Sequence, residues 1–296
     1  MAGRSRERLR AVRGTLGPAA QDWPLIVADV SEPSTLDAMA AGTQVVVTTV
    51  GPYTRYGLPV VAACATAGTD YADLTGEVMF VRASIDLYHQ QAVDTGARIV
   101  FSCGFASIPS DLNVHQLYRQ TTRDGAGCGG PHNTRIVRRS NALQGWPYGS
   151  RFRYPETMSL GRSFAAPVAS AAVTGAMASF WALGTRHFRR LPQRWLNPIA
   201  KPGTGPSEAM RERGHYTVET YSTTTSGARY MATFAQQCDA YNASGIPLGE
   251  SGLALALDRD RLTDLRGILT PAAAMGDALL ARLPAVGVSM STIRLN

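Results

Sequence analysis

The chain reads QVVVTTVGPYTRYG over residues 44–57, a β-branched run followed by a glycine–proline turn and the start of a helical pattern. Uninterrupted apolar strands of this kind are typical of parallel sheets that are covered on both faces. Similar runs occur in PLIVADV (24–30), TDYADLTGE (69–77) and ARIVFSCGF (97–105). Alternating strands and helices predict an α/β fold with a Rossmann-type, doubly wound parallel sheet.

The helices between these strands are predicted from apolar periodicity and from glycine stops. Gly14 is the expected C-cap of the first helix, and Ser31 or Ser34 is the expected N-cap of the second. We expect helices over residues 6–14, 31–42, 58–68 and 78–96.

The opening residues Gly3, Arg4 and Ser5 match the place where a second Rossmann strand ends. We therefore expect the first strand and its glycine-rich phosphate turn upstream of Met1, so that the parallel sheet is incomplete. An acidic residue at this place binds the ribose of NAD, whereas arginine accommodates the 2′-phosphate of NADP. The absence of an acid in Gly3-Arg4-Ser5 favours NADP; a basic terminus without this role is the alternative.

The sequence pattern changes after the fourth strand. DGAGCGGPHN (124–133) is a glycine-rich break, and the strands beyond it alternate in polarity, as antiparallel strands do. Ser226 and Gly227 predict a hairpin turn. We expect strands over residues 133–140, 150–159, 215–225, 228–236 and 288–295. These patterns predict a partial NADP-binding Rossmann domain over 1–123, onto which C-terminal helices can pack back, and an α+β domain with an antiparallel sheet on the substrate or lipid side over 131–296.

Residues 163–185 carry no charge, and residues 186–195 are rich in arginine and aromatic side chains. The uncharged stretch is only weakly hydrophobic, so a helix that lines a lipophilic pocket or touches a membrane is favoured over one that spans it. Peripheral membrane contact through 163–195 is one hypothesis, and an ordinary solvated basic face at 186–195 is the other.

The composition of the chain narrows the possible classes of ligand, partner and cellular location. The net charge is +7, and Lys201 is the only lysine among 29 Lys and Arg residues, which indicates codon bias more than selection for a ligand. The four cysteines have no metal-ligand spacing, so we predict free thiols, no metal site and a cytoplasmic location. The N-terminus lacks the apolar segment of a secretory signal. Because no nucleic-acid reader motif is present, a nucleic-acid partner is not expected.

Several motifs in order carry a resemblance to a known family. They are AGRS (2–5), VAD (27–29), TTVGPYTRYG (48–57), YADLTGE (71–77), CGFASIPSDL (103–112) and ILTPAAAMGDALLARL (268–283). The sequence resembles the saccharopine dehydrogenase-like reductases and, within them, the trans-acting enoyl reductases that work with polyketide synthases on phthiocerol-type and phenolic glycolipids. The resemblance implies NADP-dependent reduction of a polyketide or fatty-acyl double bond. The implied partner is a polyketide synthase or an acyl-carrier-bound lipid intermediate.

The resemblance also implies roles for particular residues. Glu77 either belongs to the site or caps the helix that follows it. The candidate proton donors or positioning residues are Tyr53, Tyr71 and Asp111, and each of them is weighed against a purely structural hydrogen bond. The candidate cofactor-binding residues are Gly3, Arg4 and Ser5 at the adenosine phosphate, Asp29 at the adenine, Thr49, Val50, Gly51, Pro52 and Tyr53 at the nicotinamide ribose, and Gly104, Phe105 and Ser107 at the nicotinamide.

The sequence departs from the family pattern in three places. The first strand and its glycine turn are missing, and CGGPH (128–132) replaces several tens of residues. Ala106 stands where the family carries aspartate. The resulting expectation is a reductase that is truncated and internally shortened. The alternative is a non-catalytic remnant or a membrane- or lipid-associated interaction protein.

Overall fold

The computed structural model describes residues 1–121, 133–156, 214–224 and 226–296, together with the helical backbone of residues 171 and 175. The strands are β1 Ala2–Gly3, β2 Ile26–Val27, β3 Val45–Thr48, β4 Asp70–Asp73, β5 Arg98–Val100, β6 Tyr216–Thr223, β7 Arg229–Gln236, β8 Gly267–Leu269 and β9 Val288–Arg294. The helices are α1 Arg6–Thr15, α2 Pro33–Ala41, α3 Tyr53–Ala67, α4 Val78–Thr95, α5 Ile108–Thr121, α6 Asn133–Leu143, α7 Ala240–Leu257 and α8 Pro271–Arg282.

The central sheet has four parallel strands in the order β3-β4-β5-β8. Successive residues of a strand point to opposite faces. Tyr71 and Ile99 accordingly lie in one apolar cluster, while Ala72 and Val100 lie in another. Strands β4 and β5 are buried on both faces, as parallel strands covered by helices are, although they include the buried charged residues Asp70, Asp73 and Arg98. The predicted parallel α/β sheet is confirmed.

Strands β1 and β2 form a separate parallel pair, in which Gly3 is opposite Val27. Among the described residues, no ladder of hydrogen bonds joins this pair to β3. The helix after β1 begins as predicted and is capped by Ser5, whose Oγ accepts a hydrogen bond from the Arg8 N–H. Its end was predicted wrongly, because the helix runs past Gly14 to Thr15 and is capped by Leu16.

The antiparallel sheet has the order β6-β7-β9. Phe234 on the central strand is opposite Val218 on one side and Met290 on the other. The turn between β6 and β7 contains Gly227 with φ of 86°, a left-handed conformation that glycine adopts readily. The predicted hairpin and the predicted final strand are confirmed.

The predicted strand at 133–140 is wrong, because these residues form helix α6. The buried residues of α6 are Asn133, Val137, Ser140 and Asn141, a spacing that follows one helical face rather than alternate positions. Residues 150–156, the described part of the predicted strand 150–159, pair with no other strand.

Two helix starts also differ from the expectations. Helix α2 begins at Pro33 with Glu32 as its N-cap, so neither Ser31 nor Ser34 caps it. The Ser31 hydroxyl instead donates to the Asp29 carboxylate over 2.8 Å. Helix α3 begins at Tyr53, before the predicted start at residue 58.

Several expectations concern residues outside the described part of the chain. These are the glycine-rich break before Asn133, Cys128 and, apart from the backbone of residues 171 and 175, the membrane-contact hypothesis for 163–195. Among the described helices, none has both the length and the apolar character needed to cross a bilayer. The three described cysteines, Cys64, Cys103 and Cys238, are free thiols.

Strand β8 extends the parallel sheet although it lies late in the sequence. Ile268 is opposite Ile99 of β5, and the following helix α8 buries Ala272 and Leu279 in the same apolar cluster as Val100. The C-terminal part of the chain therefore completes the core of the parallel sheet. The division into domains at residues 123 and 131 stays a prediction.

Close packing of α3 on α4 gives a test of this core. A Cβ atom at Gly57 would lie 2.5 Å from the Phe80 ring, which is held between Tyr53 and Phe101. We expect Gly57→Ala to lower the free energy of unfolding by about 1–3 kcal/mol through overpacking. The matched control Gly14→Ala, with no atom near the added Cβ, should instead raise it by about 0.5–1 kcal/mol. Urea unfolding measures both, and equal effects would contradict the packing.

Candidate functional site

The carboxyl ends of β3, β4, β5 and β8 meet at one edge of the parallel sheet, which we call the carboxyl edge. In open parallel sheets, ligands bind at this edge. Residues 49–53 follow β3, residues 74–77 follow β4, and residues 101–107 follow β5. These loops and the residues that hold them form the candidate site.

Tyr53 connects the ends of β3 and β4. Its hydroxyl donates to the Thr48 carbonyl and accepts from the Leu74 N–H, both over 3.2 Å. The ring stacks on Phe80, and only 7% of the residue is exposed. Burial raises the pKa of Tyr53 to about 12. These contacts support the structural hydrogen bond over the proton donor for this candidate.

Tyr71 and Asp73 form a buried pair on β4. The Tyr71 hydroxyl donates to Asp73 Oδ2 over 2.9 Å, and both residues are fully buried. Asp73 Oδ1 also accepts from the N–H groups of Thr75 and Ser102, at 3.0 and 3.1 Å. Burial raises the pKa of Asp73 to about 7, and it also raises that of Tyr71. Asp73 was missed as a site residue, although the YADLTGE motif contains it.

Ser102, the residue fixed by Asp73, has an unusual backbone. Its φ is 64°, in the left-handed region that non-glycine residues rarely adopt. Its hydroxyl donates to the Thr75 carbonyl over 2.6 Å. Strained backbone of this kind persists only where the surroundings determine it, and it is concentrated at ligand sites. Ser102 is therefore a further candidate residue at the carboxyl edge.

The Glu77 side chain forms hydrogen bonds with the start of α3 and not with the start of α4. It occupies the N-cap position of α4, but its side chain makes no capping bond there. Its carboxylate instead accepts from the N–H groups of Tyr53 and Thr54, at 2.7 and 2.8 Å, and from the Thr54 hydroxyl. Burial alone would raise the pKa of Glu77, but the hydrogen bonds from Thr54 and Tyr53 lower it overall. Of the two alternatives for Glu77, a side-chain cap on the following helix is not made, although the residue stands at the N-cap position of α4; its carboxylate caps α3.

Asp111 joins three helices. Its carboxylate accepts from the Ser140 hydroxyl of α6 over 2.6 Å and from the Ala272 N–H of α8 over 2.8 Å. Only 1% of Asp111 is exposed, and burial raises its pKa to about 6. Because Ala272 lies in the first turn of α8, Asp111 caps this helix from a distance. The contacts support the structural alternative for this candidate.

The candidates for the adenosine end lie together at the ends of β1 and β2. Arg4 is exposed, and Ser5 begins helix α1. Asp29 accepts from the Ser31 N–H over 2.9 Å, and hydrogen bonds from Ser31, aided by the charge of Arg4, lower its pKa. Gly3 pairs its carbonyl with the Ala28 N–H. A guanidinium and the amino end of a helix are thus presented at one place.

The candidates for the nicotinamide end fall into two groups. The residues Thr49, Val50, Gly51 and Pro52 form an exposed loop after β3. Gly104, Phe105 and Ser107 follow β5 and pack inside the protein. A Cβ atom at Gly104 would lie 2.6 Å from the Leu74 side chain, and only 2% of Ser107 is exposed. The centroids of the Phe105 and Tyr216 rings are 4.4 Å apart. The cofactor roles of both groups stay predictions.

A polar cluster beside α5 was missed by the sequence analysis. The Glu156 carboxylate accepts from the Ser110 hydroxyl, from the Asn133 amide at 2.8 Å and from the Tyr154 hydroxyl at 2.9 Å. The signal was hidden because 133–140 and 150–159 were both interpreted as strands. Among the described residues, no group of His, Cys, Asp and Glu side chains is arranged to hold a metal ion.

Known proteins align with this sequence over its whole length. A trans-acting enoyl reductase of Mycobacterium ulcerans is 56% identical over 381 aligned positions, covering 100% of this chain and 91% of that protein. The Mycobacterium leprae trans-acting enoyl reductase is 53% identical, and a putative trans-acting enoyl reductase of Mycobacterium tuberculosis is 51% identical, with the same coverage. Because 381 positions are aligned with only 296 residues, these relatives contain internal residues that this chain lacks.

The fold has a solved counterpart. Apo saccharopine dehydrogenase (L-Glu forming) from Saccharomyces cerevisiae superposes with a TM-score of 0.55 at 12% identity, covering 99% of this chain and 93% of that one. At this identity the likeness concerns the fold alone. No protein-family model matches the sequence.

The buried Asp73 carboxyl predicts a pH-dependent stability. Its pKa is raised from 3.8 to about 7, so its contribution is fully present below pH 3.8 and is lost as the pH rises through 7. Asp73→Asn cannot ionise, so the wild type should lose about 3 kcal/mol relative to this variant between pH 4 and pH 8. Urea unfolding across this range measures the difference. The exposed control Asp37→Asn should follow the wild type; parallel curves for all three proteins would overturn the assignment.

The Glu77 carboxylate predicts protection of two particular amides. Glu77→Gln replaces one acceptor oxygen by a donor, so the first turn of α3 should lose about 1 kcal/mol of capping energy. Faster hydrogen exchange at the Tyr53 and Thr54 amides measures this loss. Glu32→Gln is the control, because Glu32 makes no side-chain cap at α2. Unchanged exchange in Glu77→Gln would show that this contact does not hold the loop after β3.

Proposed function

Since the chain belongs to the family of trans-acting enoyl reductases, we propose that it reduces a carbon–carbon double bond of a polyketide or fatty-acyl chain, with NADP as cofactor, in complex lipid biosynthesis. The identity of 51–56% along the full chain is the observation that carries this proposal. The carboxyl edge of a parallel sheet is the place where such a fold binds a dinucleotide.

The residues present fit the two ends of a nicotinamide cofactor. Exposed Arg4, beside Ser5 at the amino end of α1, offers a charged group and helical N–H groups for the adenosine phosphate. The exposed loop 49–52 leaves backbone accessible for the nicotinamide ribose. Asp29 is the candidate at the adenine.

The cofactor, when bound, supplies the hydride, and the protein supplies orientation and a proton source. The Tyr53 hydroxyl and the carboxylates of Asp73 and Glu77 fix the loops that surround the carboxyl edge. The Tyr71 hydroxyl donates its proton to buried Asp73, and the Asp111 carboxylate accepts from the Ala272 N–H, so both groups are engaged in hydrogen bonds inside the fold. We therefore assign Tyr53, Tyr71 and Asp111 as positioning residues.

The expected partner is a polyketide synthase or an acyl-carrier-bound lipid intermediate, because the relatives are named trans-acting. In this proposal residues 1–123 bind NADP and residues 131–296 face the substrate. The free thiols of Cys64, Cys103 and Cys238 support a cytoplasmic location, since disulfides are rare there. Peripheral membrane contact through 163–195 belongs to the same proposal.

A non-catalytic remnant or lipid-associated interaction protein is the second candidate. One observation favours it: within the described residues, the β1–β2 pair and the four-stranded sheet are separate. The described residues also include no glycine-rich turn that would bind the pyrophosphate between the two ends. This candidate predicts a folded protein that does not bind NADPH.

A fluorescence titration of the full chain with NADPH, and with NADH as comparison, separates the two candidates. We expect saturable binding that favours NADPH, and Arg4→Ala should weaken NADPH binding about tenfold while changing NADH binding little. Arg10→Ala, an exposed arginine on α1, is the matched control. Reduction of an enoyl thioester with NADPH then tests the activity. Absence of binding, also after a first strand and glycine turn are fused before Met1, would reject the reductase.

A further inference from the structure

A cavity of about 190 Å³ opens at the carboxyl edge between α4 and α6. Its floor is formed by residues at the ends of two strands, Phe101 and Ser102 after β5 and Leu269 at the end of β8. Val81 of α4 and Ile136 of α6 form its walls. The lining is chiefly apolar, and it is distinct from the Arg4 and 49–52 positions that were assigned to the cofactor.

Among the described residues that line this cavity, the charged ones are all arginines: Arg82, Arg135 and Arg139. Arg135 is exposed on α6, so its charge lies at the solvent side of the cavity. Arg82 on α4 is also exposed, but its guanidinium is paired with the Asp86 carboxylate over 2.7 Å, so its charge is largely balanced. Arg139 is held inside by a 2.7 Å hydrogen bond from its Nη2 to the Ile268 carbonyl. Its buried Nε has no partner among the described residues. The electrostatic preference is therefore for a ligand with a negative charge.

The combination defines a ligand class. An apolar lining binds an aliphatic chain, and guanidinium groups bind a carboxylate or phosphate. Drug-sized pockets measure about 300–1,000 Å³, so this cavity takes only a short length of chain. The strained Ser102 backbone lies in the same lining, as is common at ligand sites.

We propose that this cavity is an acyl-chain subsite: it binds an aliphatic chain that carries an anionic group near the arginines Arg135 and Arg139. The ligand is a fatty carboxylate or a chain attached to a phosphate-bearing carrier arm. A role of this subsite in catalysis rests on the proposed function, in which an acyl chain is the substrate. Ligand binding to the cavity does not depend on that function, because it can be measured without NADPH and without turnover.

Calorimetric titration of the full chain with octanoate, octyl phosphate, octan-1-ol and inorganic phosphate tests the ligand class. We expect both anionic chains to bind about tenfold more tightly than octanol or inorganic phosphate. Tighter octanoate binding identifies a fatty carboxylate, and tighter octyl phosphate binding identifies the carrier arm. Equal binding of octanol and octanoate, binding of phosphate alone, or no binding would each overturn the proposal.

Two pairs of variants place the ligand in this cavity. Val81→Phe fills it and should weaken octanoate binding about tenfold, whereas Leu87→Phe, exposed on the same helix, should not. Arg135→Gln should weaken binding about threefold, whereas Arg138→Gln, exposed on α6, should leave it unchanged. Thermal unfolding verifies that each variant folds. Equal effects of variant and control in both pairs would place the ligand elsewhere, whatever the result of the NADPH titration.

Discussion

The organisation of the carboxyl edge depends on the burial of the Asp73 carboxyl group. A buried carboxylate without partners is strongly destabilising, so the surrounding chain must bring donors to it. Those donors are the Tyr71 hydroxyl and the N–H groups of Thr75 and Ser102, which lie on the loops after β4 and β5. One side chain thus determines where both loops run, and it also holds Ser102 in its left-handed conformation. The loops are fixed before any ligand is considered.

Two further carboxylates, those of Glu77 and Asp111, accept hydrogen bonds from backbone N–H groups at the starts of helices and so hold those helices in place. Glu77 satisfies N–H groups at the amino end of α3, and Asp111 satisfies one at the amino end of α8. In both cases the acceptor comes from a distant part of the chain, because neither Pro52 nor Thr270, at the N-cap positions, provides a side-chain bond. The carboxylates of Glu77 and Asp111, which the sequence pattern offers as site residues, therefore position the helices around the site. Under the proposed function, the described residues assigned to ligand contact are the exposed Arg4, the loop 49–52 and the lining of the acyl-chain subsite.

The sequence predicts the elements whose pattern is local and misses those that depend on distant partners. The strands β3, β4 and β5 were identified because each contains β-branched or aromatic residues within a short segment that ends at a turn and is followed by a helical pattern. The hairpin was identified from Ser226 and Gly227. Helix α6 was missed because NTRIVRRS alternates as a strand does, and its helical face is apparent only once Val137 and Ser140 are seen to be buried together. The roles of Asp73 and Glu77 were missed for a related reason: Glu77 and its partner Tyr53 are 24 residues apart.

The proposed function needs two different ligands, and the charged and apolar surfaces assigned to them lie at different places, after β1 and at the carboxyl edge. Under the proposed function, exposed Arg4 after β1 provides a phosphate contact in a hydrated setting, where an ion pair is favourable but screened. The subsite between α4 and α6 is apolar, with Arg139 partly withdrawn from solvent, so an anion there is bound with less screening. Under the proposed function, a polar cofactor and an aliphatic substrate would be distinguished by these environments before either reaches the other. The loops held by Asp73, Tyr53 and Glu77 line the edge where the two would meet, so their rigidity, rather than the titration of any one side chain, is what the reaction requires of them.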